Sequence, residues 1–429
     1  MKKSLLLLFF IFRLCTNVIA QGGDYYDPTF LRYENHVYNK NIKSVIFEQS
    51  GVPLSDPVIN LGSSEKLTLT FDDLGEEVSD YSYKIIHCDR NWQPSALSES
   101  DFTGGFYTDH IANYKQSFNT IQHYFHFKLE FPNENLSPLI SGNYLLVVFD
   151  NSDPDKIVLT RRFWVVENIA SIETNIHRAT EIELRNTHQE VDIKVNTGSL
   201  KIGNPYSDAQ LVIVQNNNQS MAISDLKPQF VLDKELDYNY DEGNVFQGGN
   251  EFRNFDIRTI RFKTQYIEDF SMDPASKITT VELKPDQRRG TQRYSTEDDL
   301  NGRYLIKVYE GRDGDLEGDY LKVKFKLPVL EPFENGQIYI FGQLTNWEIT
   351  PEAKMQFDVD NNQYFNELYL KQGYYNYEYL FVPNSSKKPE IAETEGQHFE
   401  TRNDYSIFFY TREPGTRYDK LSGYRRTGN

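Results

Sequence analysis

The feature that most constrains the fold of this chain is a recurring alternation of apolar and polar residues over short stretches. Leu67-Thr68-Leu69-Thr70-Phe71 is one such stretch, and residues 304–309 form another. Successive side chains of a strand point to opposite faces, so a period of two indicates half-buried strands. Gly, Pro, Asn and Asp bound the stretches, and long runs with a 3.6-residue period are scarce. The pattern predicts an all-β chain of β-sandwiches and disfavours a parallel α/β sheet.

An internal repeat suggests that two of these sandwiches follow one another. Residues 142–150 (GNYLLVVFD) match residues 302–310 (GRYLIKVYE). Each segment precedes a polar turn and a second strand, at 157–166 and 320–327, so each is interpreted as the closing hairpin of a domain. The alternative is chance similarity between two ordinary hairpins, because few turn chemistries exist.

A third unit is predicted after Pro328 and Pro332, with strands at 338–342, after Gly373 and at 405–410. The chain is therefore expected to hold three tandem immunoglobulin-like or early-set β-sandwiches. Their predicted bounds are residues 21–167, 168–328 and 329–410. Residues 411–429 carry five bases and two acids. We interpret this segment as a frayed basic tail, with a docking segment for an acidic partner as the alternative.

Residues 1–20 are typical of a cleaved export signal. Two lysines precede an apolar run from Leu5 to Phe12, and Val18-Ile19-Ala20 ends as a processing site does. The run is shorter than the roughly 20 apolar residues that span a bilayer, so an exported soluble protein is predicted. Cleavage would remove Cys15 and leave Cys88 alone, without an intramolecular disulfide.

The charge of the chain disfavours polyanions as partners. The sequence has 63 acidic and 45 basic residues, and loss of the signal would leave 42 bases and a formal charge of −21. Nucleic acids and anionic membrane surfaces both attract basic proteins. We therefore predict no nucleic acid partner and no direct insertion into a membrane.

Motifs that carry enzymatic chemistry are absent from the sequence. It contains no phosphate-binding glycine loop, no G-x-S-x-G elbow and no H-E-x-x-H run. His87-Cys88-Asp89 places imidazole, thiol and carboxylate side by side, but neighbouring strand residues face opposite ways. Cys88 is therefore interpreted as a small buried hydrophobe. We predict a protein that is not an enzyme and has no catalytic residues, metal or cofactor.

The loop at Asn346-Trp347 in the third unit suggests one rival function. An aromatic side chain on a sandwich loop can stack on a sugar ring while Asn346 supplies hydrogen bonds. The rival is a periplasmic carbohydrate-binding protein that uses the third unit. A Trp347 that covers the end of the sandwich is the structural alternative.

A series of motifs runs in order through the first predicted unit. They are YYDP at 25–28, LRYE at 31–34, LGSSE at 61–65, FDDL at 71–74, HCD at 87–89, WQPS at 92–95, SFNT at 117–120, FPNEN at 131–135, SGNY at 141–144 and RRF at 161–163. In this order they resemble the first domain of the type IX secretion system plug proteins of Bacteroidetes. Separately, FGQLTNW at 341–347 and GYYNY at 373–377 resemble an early-set sandwich of the glycogen-binding kind.

The first resemblance implies a non-enzymatic periplasmic protein. Its implied partner is the large outer-membrane β-barrel translocon of the type IX system, whose periplasmic mouth the plug occludes when no substrate is engaged. Aromatic side chains are enriched at interface hot spots, so Tyr25, Tyr26 and Phe30 are the candidate anchors for this partner. The alternative is that these three side chains pack back onto the first unit.

Overall fold

The computed structural model of the protein describes residues 30–311, 313–386 and 388–429. Strands hold 45% of the chain and helices 5%, which confirms the predicted all-β class. Among the described residues, no helix is long and apolar enough to cross a bilayer. The predicted export signal at 1–20, together with Tyr25 and Tyr26, lies outside the described residues.

The first unit spans residues 36–166. Its elements are β1 (His36–Val37), β2 (Ile42–Gln49), β3 (Val58–Asn60), β4 (Leu67–Asp73), β5 (Tyr81–Cys88), α1 (Glu99–Phe102), β6 (Thr103–Gly105), β7 (Asp109–His110), β8 (Tyr114–Gln116), β9 (Phe125–Phe131), β10 (Leu136–Pro138), β11 (Gly142–Asp150) and β12 (Asp153–Val166). The sheets β1-β12-β11-β5-β7 and β2-β4-β9-β8 enclose one core.

The alternation in β4 builds this core as its sequence predicts. Leu67, Leu69 and Phe71 are fully buried, whereas Thr68 and Thr70 are partly exposed. The predicted hairpin at 142–166 is also confirmed, because β11 pairs with β12 from Gly142 opposite Val165. Apolar side chains on both faces of β11 are buried, since a second, smaller cluster covers the face that points away from the core.

The next elements in the chain are β13 (Ser171–Arg178), β14 (His188–Asn196), α2 (Pro205–Asp208), β15 (Ala209–Gln215), β16 (Phe230–Val231), β17 (Glu235–Asp237) and β18 (Val245–Gln247). They are followed by β19 (Arg253–Asp256), β20 (Ile267–Met272), β21 (Thr279–Leu283), β22 (Tyr304–Ile306), α3 (Gly314–Glu317), β23 (Tyr320–Pro328), β24 (Gly336–Phe341), β25 (Gln356–Asp358), β26 (Gln363–Lys371), β27 (Gly373–Pro383), β28 (Asp404–Thr411) and β29 (Lys420–Gly428). Short 3-10 helices cover Gln219–Met221, Gln343–Thr345 and Pro351–Ala353.

These elements build a second and a third core that are interleaved along the chain. The second unit joins β13-β14-β17-β16 to the sheet β15-β28-β29, around buried residues of 170–246 and 405–409. The third unit joins β19-β27-β22 to β20-β21-β23-β26-β25, around buried residues of 255–379. The third sandwich is thus inserted into the second.

The insertion corrects the predicted bounds 168–328 and 329–410. β28 pairs with β15, from Ala209 opposite Thr411 to Gln215 opposite Tyr405, so it closes the second unit and not the third. The predicted boundary near 328 falls at the end of β23, which pairs along its whole length with β26. Antiparallel pairing between distant segments leaves no local signal in the sequence, and a proline-containing loop between two strands resembles a linker.

The second copy of the apparent repeat does not form a hairpin. β22 pairs with β27, whereas β23 pairs with β26 and β21 in the opposite sheet. Gly302 has a packing role instead, because a side chain there would collide with the rings of Trp347 and Phe252.

The segment 411–429 is not a frayed tail. β29 pairs with β28 and contributes the fully buried Leu421 to an apolar cluster. The bases of this segment have partners on the same body; Arg412, for example, lies 2.9 Å from the carboxylate of Asp419. A strand that mixes basic residues with small and apolar ones has the composition of a polar tail, which is why composition misled the prediction.

Candidate functional site: the junction of the three sandwiches

Of the three predicted anchor residues, Phe30 is the first residue of the described chain. Tyr25 and Tyr26 lie outside it. Phe30 is partly buried, and its carbonyl oxygen accepts a hydrogen bond from the Tyr38 hydroxyl at 3.1 Å. The role of these three residues in partner binding stays a prediction.

Asn346 and Trp347 lie in the loop after β24, both with a left-handed backbone, at φ of 55° and 59°. This conformation is unusual for a bulky residue such as Trp347. Its indole packs edge-on against Phe252 and Phe341, with ring centroids 6.3 and 5.5 Å away. The Asn346 side-chain oxygen accepts a hydrogen bond from Arg161 of the first unit at 2.7 Å. This placement favours the interpretation in which Trp347 covers the end of the sandwich.

His87 and Cys88 face opposite sides of β5. The His87 ring packs against Tyr144 and Phe102 of the first core, whereas Cys88 packs with Leu145 and Val147 in the smaller cluster. Burial raises the pKa of the Cys88 thiol to about 12 and lowers the pKa of His87 to about 4. A reactive thiolate needs a base within hydrogen-bond reach, and this geometry does not provide one.

Asp56 is the point at which all three units meet. It lies in the loop before β3, and its carboxylate accepts a hydrogen bond from Arg303 of the third unit at 2.9 Å. It also accepts hydrogen bonds from Ser406 and, at 2.9 Å, from Tyr424, both in the second unit. Burial alone would raise the pKa of Asp56, but Arg303, Arg426 and the two hydroxyl donors lower it below its usual value. The carboxylate therefore stays ionised inside the junction.

A second buried ion pair joins the first and third units. Lys371 at the end of β26 lies 2.7 Å from Asp72 of β4, and both side chains are 1% exposed. Asp72 also accepts hydrogen bonds from Tyr320 and His126, each at 2.7 Å. The first and third units thus both supply hydrogen-bond donors to the Asp72 carboxylate.

A third contact places Arg161 of β12 under the loop of the third unit. Besides its bond to Asn346, its guanidinium donates to the carbonyl oxygen of His36 at 3.3 Å. Burial lowers the pKa of Arg161 to about 10, although nearby Glu348 opposes this effect. Glu348 itself lies 2.8 Å from Nδ1 of His36.

The first and second units share an apolar cluster. Val58, Trp164 and Val166 of the first unit pack against Val214, Phe408, Tyr410 and Leu421 of the second. Trp164 stacks on Phe408 with ring centroids 4.7 Å apart. Between the first and third units, by contrast, a cleft of about 890 Å³ opens, lined by residues of 32–45, 343–353 and 367–371.

Some residues of the junction belong to the sequence motifs, although their role could not be predicted. Asp72 belongs to FDDL, Arg161 to RRF and Trp92, which touches the shared apolar cluster, to WQPS. The motifs single these residues out in the sequence, but a motif does not show which other unit a side chain contacts. Asp56 and Arg303 lie outside the motifs, and nothing in their local sequence distinguishes them from exposed charges.

Comparison with known proteins gives two findings. A family model described as the first domain of the type 9 secretion system plug protein matches residues 42–167. The crystal structure of a hypothetical protein from Parabacteroides merdae is similar along nearly the whole length, with a TM-score of 0.90 and 32% identity. The match covers 93% of this chain and 100% of that one. No curated protein matches the chain.

Proposed function

Because this chain belongs to the type IX secretion system plug family, we propose that it is a non-enzymatic plug subunit of the type IX secretion machinery. It would bind the outer-membrane β-barrel translocon from the periplasm and occlude its mouth. The observation that carries the proposal is the family match over residues 42–167, which is the whole first sandwich from β2 to the end of β12.

The construction of the junction supports a mechanical role. A stopper must keep its shape while it covers a wide opening, and inter-domain motion is the default unless the interface is large and apolar or otherwise fixed. Here the first unit is held to the other two by an apolar cluster and by the buried pairs of Asp56 with Arg303 and Asp72 with Lys371. The three sandwiches would therefore act as one body.

Sealing of a barrel requires an extended interface, in which area and shape complementarity count for more than any one contact. The candidate anchors Tyr25, Tyr26 and Phe30 directly precede residues 32–45, which line one wall of the cleft. We propose this end of the molecule as part of the contact with the translocon.

The proposal is tested by affinity purification of the tagged protein from detergent-solubilised envelopes. The expected result is co-purification of a very large barrel subunit, and recovery of soluble proteins alone contradicts it. Joint alanine substitution of Tyr25, Tyr26 and Phe30 is expected to reduce the barrel yield. Alanine at Tyr206, an exposed aromatic of the second unit, serves as the matched control.

Occlusion is a separate claim and needs its own measurement. Cells that lack the protein are expected to admit a hydrophilic antibiotic too large for porins, and the wild-type protein should restore the barrier. An unchanged antibiotic sensitivity, in cells where co-purification with the barrel succeeds, would retain the partner but reject the plugging role.

A further inference from the structure

The second sandwich carries three metal-type ligands on the hairpin β13–β14. His177 lies directly opposite Glu190, and Asp192 lies two residues further along β14. Val191 and Ile193 point into the second core, so the alternate residues Glu190 and Asp192 point away from it, on the same face as His177. The cluster therefore lies outside the junction and uses none of its residues.

The ligand atoms converge on one point. Nε2 of His177 lies 2.8 Å from Oδ2 of Asp192 and 3.6 Å from Oε1 of Glu190. One atom of each of the three residues lies within 4.8 Å of the other two. The Glu190 side chain is 2% exposed and the His177 side chain 33%, so the group is deep at one end and open to solvent at the other.

Contacts from outside the cluster orient its ligands. Nδ1 of His177 lies 2.8 Å from the carbonyl oxygen of Arg178. A proton on Nδ1 satisfies this contact, so Nε2, which faces the two carboxylates, is the ring nitrogen that would ligate a cation held between them. Thr180 donates its backbone N–H to Oε2 of Glu190 at 2.7 Å and its hydroxyl to Oε1 at 3.2 Å.

Asn244 lies beside the group, and its side chain is fully buried. Its Nδ2 donates hydrogen bonds to the carbonyl oxygen of Val191 at 3.0 Å and to Oδ1 of Asp192 at 3.3 Å. The amide therefore holds Asp192 in place from the buried side of the group.

We propose that His177, Glu190 and Asp192 form a binding site for one divalent cation of the zinc type. Two carboxylates bring a charge that such a cation neutralises, and the imidazole nitrogen selects against Ca²⁺ and Mg²⁺, which prefer oxygen ligands throughout. Three protein ligands leave a coordination position open to water on the exposed side.

The test is calorimetric titration of the purified, chelator-treated protein with Zn²⁺ at neutral pH. Wild type is expected to bind one Zn²⁺ per chain. His177→Ala and Asp192→Asn are each expected to weaken binding by at least about ten-fold. His110→Ala is the matched control, since it removes an exposed histidine 4.0 Å from the carboxylate of Asp80 and should leave the affinity unchanged.

Wild-type protein without a saturable one-to-one Zn²⁺ site overturns the proposal, and so does binding that His177→Ala leaves intact. Equal or tighter binding of Ca²⁺ contradicts the stated class of cation. The melting temperature of each variant identifies those that fail to fold. In that event Co²⁺ bound to the wild type decides the question, since its visible absorption must reveal nitrogen ligation and disappear when Zn²⁺ is added.

Discussion

At the scale of single residues, the buried charges of the junction have partners that come from other units. Asp56 and Arg303 are both nearly inaccessible and lie 2.9 Å apart. A buried ion pair adds little stability over a well-packed apolar pair, but removal of one partner leaves the other charge buried and alone. Such residues therefore determine how the units are joined more than how each unit folds.

Asp56→Ala is expected to destabilise the protein by about 3 kcal/mol, because Arg303 would keep only the carboxylate of Asp404, 3.3 Å away, in a site that excludes water. Ser406 and Tyr424 would lose their acceptor as well. Urea unfolding followed by fluorescence measures the loss. Asp298→Ala is the control, since that side chain is 97% exposed in its pair with Arg402, and a loss of similar size there would contradict the argument.

Glu378 on β27 makes stability depend on pH in the opposite sense to an ordinary ion pair. Burial, reinforced by the charge of Glu395, raises its pKa to about 8. The folded state keeps a proton that the unfolded state loses near its ordinary value of 4.5. Stability is therefore lost as the pH rises from about 4.5 to about 8 and is not lost further above that range.

Glu378→Gln is accordingly expected to raise the melting temperature by several degrees at pH 9 and to change it little at pH 4. Thermal unfolding at both values checks the difference. Glu334→Gln, at an exposed position, is the matched control and should respond equally at the two pH values. An increase at pH 9 no larger than that of the control would count against a buried, protonated Glu378.

At the scale of elements, strand character and the local hairpin of β11 and β12 could be predicted, whereas pairing between distant strands could not. The period of two in β4 and the turn chemistry after β11 depend on neighbouring residues, which a sequence displays directly. The pairing of β15 with β28 joins segments almost two hundred positions apart, so no local pattern reports it. The contacts of the junction could not be predicted for the same reason, because the partners of Asp56, which include Arg303 and Tyr424, are distant from it in the sequence.

Removal of residues 412–429 is expected to unfold the second unit and spare the third. β28 would lose its outer neighbour, and Leu421 would leave the apolar cluster shared with the first unit. Limited proteolysis should then cut within 171–247 while fragments of the third unit persist. Arg417→Ala removes an exposed base from the same segment and should not change the pattern; full resistance of the truncated protein would contradict the role of β29.

At the scale of the whole molecule, the buried ion pairs of the junction should make the overall dimensions of the protein insensitive to salt. Exposed ion pairs are screened at high ionic strength, whereas buried pairs such as Asp72 with Lys371 are screened far less. The radius of gyration from small-angle scattering is expected to stay constant between roughly 50 mM and 1 M NaCl. Lys371→Ala should enlarge it by opening the junction; expansion of the wild type with salt would show that surface charge holds the units together.

The insertion of the third sandwich also determines the order in which the three cores can be completed during synthesis. The first and third cores have all their strands once β12 and β27 have left the ribosome, but the second must wait for β28 and β29. At the usual rates of translation β15 waits for its partner β28 for on the order of ten seconds, and Val191, Ile193 and Val195 on the core face of β14 stay uncovered. During that interval these three side chains form an uncovered apolar face that a neighbouring nascent chain can contact. The second unit is therefore the part of the molecule most dependent on a chaperone before it is complete.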